Sequence, residues 1–230
     1  MNSNIVFYVK VQELLNTPLT EELCEFVGAI IGDGCIDGYK NKYGKYANHV
    51  FITGNALLDH DYLTNKMTEA MLRISGKRPS TYVRKNTNTM VLNIYSKQIF
   101  AILTERFGFK PGNKTYTVTI PQEIMNAGEK FIFATIRGIF DTDGCVYLDV
   151  RKIYKKVYPR IILKTVSYPL FLQVKEFLEK YFSLYAAKKK TPLGKPCYEI
   201  TVYGTKQVSK WMALIGFSNQ RHLRKIESIE

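Results

Sequence analysis

Apolar positions along this chain follow two periods, and the order in which those periods alternate occurs twice. A segment from about Thr20 to Gly32 (TEELCEFVGAIIG) is apolar and helical in character. Thr20 is placed as its N-cap, and Glu21 and Glu22 sit in the first turn, where the helix dipole favours acids. Two β-prone stretches follow, Cys35 to about Tyr46 and His49 to Thr53. The spacing of Tyr62, Met67, Met71 and Ile74 then predicts a helix over Asp61–Ile74, stopped by Gly76. Pro79–Arg84 and Met90–Tyr95 read as a hairpin around Asn86-Thr87-Asn88, and Lys97–Phe107 as a helix ended by Gly108.

The same succession restarts after a linker containing Pro121-Gln122-Glu123 and Gly128-Glu129. A helix over Phe131–Asp141 is followed by strands Val146–Val150 and Arg160–Val166. An amphipathic helix over Pro169–Tyr181 comes next, then a hairpin of Tyr185–Lys189 and Tyr198–Tyr203, and a helix over Lys206–Ile215 ended by Gly216. Each half reads αββαββα. The predicted fold class is α+β: two pseudo-symmetric domains, residues 1–115 and 116–230, each with a four-stranded antiparallel sheet. Residues 1–15 are placed as a short leading strand or helix.

The two first helices carry the chemistry. Phe26–Gly34 (FVGAIIGDG) and Ile136–Gly144 (IRGIFDTDG) both end in Asp-Gly-Cys, 110 residues apart. Cys24, Gly28 and Gly32 form a small-residue ridge four residues apart on one helix; Ala134, Gly138 and Thr142 form the matching ridge on the other. Ridges without bulky side chains allow close helix approach. If they pack together, Asp33 and Asp143 meet at the seam. Two carboxylates there repel unless a cation lies between them, and a hard divalent cation with oxygen ligands is the natural occupant. A lone Asp-Gly after an apolar run is usually a plain helix stop. An acid at a helix C-terminus opposes the dipole, and two matched copies favour a site.

Composition adds a partner. The 230 residues include 33 Lys+Arg against 20 Asp+Glu, a formal charge of +13, which points to a polyanion, nucleic acid first. No apolar run reaches the ~18 residues of a membrane span, and the first residues lack the features of a secretory signal. The four cysteines contain no C-x-x-C pair, which fits reduced thiols in an intracellular protein. The basic residues fall on strand and loop segments of both halves: Lys40, Lys42, Lys45, Arg78, Arg84 and Lys85, then Arg151, Lys152, Lys155, Lys156, Arg160, Lys164, Lys188, Lys189, Lys190 and Lys195. A paired, positively charged saddle is expected, with β-ribbons in the major groove and loop cations on phosphates.

The two motif segments resemble the LAGLIDADG motif of homing endonucleases in their single-chain, two-motif form. The family's glycine falls at Gly28 and Gly138, and its last acid at Asp33 and Asp143. The earlier acid is present as Asp141 but replaced by Ile31 in the first copy. The resemblance implies a monomer with internal pseudo-two-fold symmetry that cuts both strands of a long, asymmetric DNA duplex and leaves short 3′ overhangs. It implies Mg²⁺ (or Mn²⁺) held by Asp33 and Asp143, with the Gly32 and Thr142 carbonyls as further ligands. A cation near each scissile phosphate would stabilise the transition state; Lys97 and Lys206, at matched positions after the fourth strand of each half, are the candidates. Thr53, Asn55 and Ser167 are candidates for positioning water. A DNA-associated intracellular location is expected, in cytoplasm, nucleoid or organelle. The alternatives are an intron RNA maturase, with intron RNA as partner, or a catalytically inactive DNA-binding protein on the same scaffold.

Overall fold

The computed structural model describes residues 15–16, 18–40, 46–151, 153 and 157–228. Helix α1 (Glu21–Ile31) starts where Thr20 Oγ1 accepts from Leu23 N at 3.1 Å and is buried along almost its whole length. Strands β1 (Gly34–Lys40) and β2 (Tyr46–Asn55) pair antiparallel. A π-helical turn, Tyr62–Met67, runs into α2 (Thr68–Ser75), which Gly76 ends at a positive φ of 67°. Strands β3 (Ser80–Val83) and β4 (Thr89–Tyr95) complete a sheet of order β1-β2-β4-β3. Helix α3 (Lys97–Ala101) continues as a π-helical turn to Arg106.

The second half begins with a short α4 (Gln122–Asn126) and the motif helix α5 (Glu129–Thr142). Strands β5 (Gly144–Asp149) and β6 (Tyr158–Thr165), helix α6 (Tyr168–Leu178), and strands β7 (Leu184–Lys190) and β8 (Pro196–Tyr203) give the matching order β5-β6-β8-β7. Helix α7 (Thr205–Leu214) follows. One further helix, α8 (Gln220–Glu227), lies beyond the repeated unit and was not expected from periodicity. Its sequence, QRHLRKIE, has few apolar positions, and only His222 is buried.

Both sheets put one face on the helices and leave the other open, the arrangement that lets short strands bury half their side chains. The core is continuous from Phe26, Ile30 and Ile52 through Ile139 and Phe140 to Leu163 and Trp211. The two motif helices form its centre. A Cβ on Gly28 would overlap Thr135 O and lie 3.0 Å from Gly138 Cα; one on Gly138 would overlap Glu25 O. The small-residue ridges therefore face each other, and backbone meets backbone across the seam. The described helices include none long and apolar enough to cross a membrane.

Candidate active site at the helix junction

The close packing of α1 and α5 carries their C-terminal ends to one place. Gly32 turns its bare Cα toward the other helix: a Cβ there would overlap Thr142 Oγ1 and sit 3.4 Å from Asp143 Cγ. The Asp143 carboxyl thus lies beside the residue preceding Asp33. Crowding by surrounding protein atoms is the main reason that Asp143 is pushed up from 3.8 to about 7, and the neighbouring Asp33 raises it further. Burial likewise raises Asp33, opposed by Arg221 and Lys114. Asp143 is nonetheless open to solvent and Asp33 half-buried, so the two acids meet at an accessible surface.

Two cations close the same helix ends. Lys114 Nζ donates to Ile31 O at 2.7 Å and Gly32 O at 3.0 Å. Arg221 Nη2 donates to Thr142 O at 2.6 Å and Asp141 O at 3.1 Å. Each satisfies carbonyls that a helix terminus leaves unpaired and opposes the negative end of its dipole. Burial holds Lys114 below the usual amine range, against the pull of Asp143, Cys35 and Asp33. The sequence reading named neither residue.

Arg221 is held from both halves of the molecule. Its guanidinium pairs with Asp59 at 3.0 Å, in the turn after β2. Asn219 Nδ2 also donates to Asp59, at 2.8 Å, and to Asp141 O at 3.0 Å. The Asp141 carboxylate accepts from Ser218 N at 2.9 Å and Asn219 N at 3.0 Å. This earlier motif acid therefore anchors the chain segment leading into α8. Ile31, its counterpart in the first copy, is a buried apolar side chain.

The structure does not bring Lys97 or Lys206 to this junction. Tyr95 of β4 pairs with His49, and His49 with Asp37, three residues along β1 from Gly34. At ~3.3 Å per residue, Tyr95 lies about 10 Å along the sheet from the motif end, and Lys97 lies beyond it. Tyr203, Arg160 and Tyr147 repeat this relationship for Lys206. Both lysines are exposed at the starts of α3 and α7. Position relative to the fourth strand was the wrong landmark, because that strand runs away from the acids. Of the water-positioning candidates, Thr53 is at the site, with its backbone N donating to Asp33 O at 3.1 Å. Asn55 organises the turn that carries Asp59, donating from its backbone N to Asp59 at 2.7 Å. Ser167 is fully buried, caps α6 and donates to Val118 O at 2.7 Å.

The open sheet faces flank the junction. A cleft of about 460 Å³ is lined by Gly32, Lys114, Asp143, Lys164, Lys190 and Cys197. Arg78, Arg84 and Lys85 are exposed at the outer hairpin of the first sheet. Lys188, Lys190 and Lys195 are exposed around β7. Arg151 and Arg160 both pair with Asp149, at 2.7 and 2.8 Å; Lys164 pairs with Glu199 at 3.4 Å. The Arg151 hydrogen bond is the first cause that holds Asp149 below the usual carboxylate range. Lys42, Lys45, Lys152, Lys155 and Lys156 lie outside the described residues, as does the side chain of Lys40.

Among known proteins, a family model described as a LAGLIDADG-like domain matches residues 130–216. A LAGLIDADG-like domain thus occupies most of the second half. The homing endonuclease I-DmoI in complex with DNA and Mn aligns over 86% of this chain and 97% of its own, with a TM-score of 0.61 at 16% identity. I-WcaI bound to its DNA recognition sequence aligns over 93% of this chain and 87% of its own, with a TM-score of 0.56 at 18% identity. Among curated proteins, this chain is 24% identical over 222 residues to the probable translation initiation factor IF-2 of Methanocaldococcus jannaschii. It is 27% identical over 161 residues to a DNA polymerase of Thermococcus sp. (strain GE8). It covers 95% and 70% of itself in these matches but spans only 17% and 8% of the two relatives. The chain spans less than a fifth of either relative, so the likeness carries neither relative's activity to it.

Proposed function

We propose that the chain is a site-specific, metal-dependent endonuclease that hydrolyses both strands of a double-stranded DNA target and leaves short 3′ overhangs. The observation that carries this reading is the pair of acids, Asp33 and Asp143, meeting at the tips of two closely packed helices between two open sheets. A pure binder has no need of two carboxylates brought together at the helix tips.

The donor set fits a divalent cation with oxygen ligands. Asp33 and Asp143 supply two carboxylates, and Mg²⁺ commonly takes one or two of these, completing its shell with water and substrate phosphate. The described residues contain no cluster of three or more His, Cys, Asp or Glu side chains that could enclose a metal alone, which agrees with a site completed by DNA. The carbonyls of Gly32 and Thr142 already accept from Lys114 and Arg221, so the carboxylates are the principal holders. When bound, such an ion lowers the pKa of a water and neutralises charge on the phosphate.

The chain's own residues do the rest. Lys114 and Arg221 hold a positive charge at each helix tip, where it opposes the negative charge that grows on a phosphate oxygen during attack. The Asp59–Arg221 pair and the Asp141 anchor fix the second of these cations. Exposed lysines and arginines around both sheets hold phosphates, and strand side chains on the open faces meet base edges. Two unlike halves in one chain admit an asymmetric target as a monomer. The decisive experiment is incubation of the purified chain with Mg²⁺ or Mn²⁺ and a library of duplex targets. Double-strand cuts with a fixed stagger at one sequence support the reading. Tight binding without cutting in either ion refutes it.

A further inference from the structure

The registers of the two sheets superimpose residue for residue, so their open faces can be compared position by position. Gly34–Ile52–Leu92 in the first sheet corresponds to Gly144–Leu163–Ile200 in the second. From these anchors, Thr53 matches Lys164, Val91 matches Glu199, and His49 matches Arg160. Three neutral positions on one face are charged on the other. Val91 and Thr53 are directly paired across β2 and β4, as Lys164 and Glu199 are across β6 and β8.

The charged set is ordered in advance. Glu199 is buried to 6% exposure on the open face and accepts from Lys189 Nζ at 2.6 Å, with Lys164 Nζ at 3.4 Å. Arg160 is fixed by Asp149 at 2.8 Å. The Lys164–Glu199 pair sets a cation beside an anion. A G·C pair offers the complement in the major groove: the guanine N7 and O6 acceptors next to the cytosine N4 donor. An anion there also repels phosphate, so Glu199 disfavours a purely phosphate-binding role for this patch. On the first face, His49 is stacked on Tyr95 at 4.5 Å, and burial holds its imidazole below the usual range, so it is neutral. Phe51 lies between His49 and Thr53 on that face, and such apolar surface suits thymine methyl groups.

Resting on the endonuclease reading above, we infer that the two halves select half-sites of opposite composition. The second sheet selects G·C pairs beneath Arg160, Lys164 and Glu199, and the first selects A·T-rich sequence beneath His49, Phe51 and Thr53.

The test is selection of bound duplexes from a library randomised across the whole target length, using the full chain with Ca²⁺ and then sequencing. A parallel selection uses the triple exchange Arg160→His, Lys164→Thr and Glu199→Val, which places the first sheet's residues on the second. The expected result is a consensus with one G·C-rich and one A·T-rich half. In the triple variant, discrimination at the G·C pairs falls roughly 10-fold, and the A·T-rich half is unchanged. The unchanged half also reports that the variant is folded. A consensus with two halves of equal composition, or a triple variant with the wild-type consensus, overturns the inference and leaves the endonuclease reading standing. Failure to recover any sequence from the wild-type selection overturns both.

Discussion

Gly28 of α1 and Gly138 of α5 stand with their Cα atoms turned into each other's backbone, so that a Cβ on either would strike the opposite helix. The junction exists because neither residue has a side chain. A Gly→Ala change on an exposed helix would gain about 1 kcal/mol of helix propensity. At Gly28 that gain is outweighed, because the obstruction is Thr135 O, a backbone atom that cannot rotate away. Overpacking of this kind costs about 1–3 kcal/mol. Gly28→Ala and Gly138→Ala should each lower the melting temperature by roughly 3–8 °C, read by circular dichroism, and should reduce DNA cleavage by more than binding. Unaltered melting in both variants would show that the helices are not packed this closely.

The cations at the helix tips separate two assignments. Lys114→Met and Arg221→Met should lower the cleavage rate by on the order of 10²-fold, the scale of losing one charge-stabilising group, with target binding nearly retained. Lys97→Met and Lys206→Met, about 10 Å or more along the sheets from the acids, should change the rate by less than about 3-fold. Single-turnover cleavage of a labelled duplex measures all four. A large loss from Lys97 or Lys206 alone would restore the assignment drawn from strand order.

Legibility in the sequence tracks how local each interaction is. The Thr20 cap, the stops at Gly76, Gly108 and Gly216, and the Asp33-Gly34 and Asp143-Gly144 tips were readable because each signal lies within a few residues of its effect. The packed ridges were readable because Gly28 and Gly138 sit at helical spacing in two matched copies. Lys114 and Arg221 were not, because each acts on carbonyls about 80 positions earlier in the chain. Helix α8 was missed for a related reason. It contributes hydrogen bonds from Asn219 and Arg221 rather than a run of apolar side chains, and it has no counterpart among the described residues of the first half.

The paired acids predict a pH effect on the ligand-free protein. Asp143 titrates near 7 in the folded chain, against 3.8 as its ordinary value. The native state therefore holds the proton more tightly than the unfolded state. Stability from this group is fully present below about pH 4 and is lost as pH rises toward 7. His222, driven down to about 3 by burial, has the opposite sign and loses stability below its ordinary 6.5. A comparison of wild type with Asp143→Asn isolates the first effect. The variant should be more stable than wild type at pH 8 and equal to it near pH 4.5, while cutting is lost. Denaturant titration at both pH values checks this; a stability difference independent of pH would show that Asp143 is not crowded beside Asp33.

The last prediction concerns how one half controls the other's cation. Asp59 belongs to the first half, yet it fixes Arg221 and Asn219 of the C-terminal segment. It is 5% exposed, so removal of its charge leaves a guanidinium without its carboxylate partner in a largely dry setting. Asp59→Asn keeps the shape and an acceptor for Asn55 N, so the turn after β2 should persist. The expected cost is about 2–3 kcal/mol in stability. Because Lys114 serves the α1 tip independently, the two strand cuts should respond unequally. Nicking of one strand should slow by about 10-fold or more, while the other stays within about 2-fold, so nicked circles accumulate from a supercoiled plasmid target. A merely structural role would slow both cuts together and leave no nicked intermediate. The ratio of nicked to linear product therefore reports whether Asp59 positions Arg221 for chemistry or only fastens the C-terminal helix.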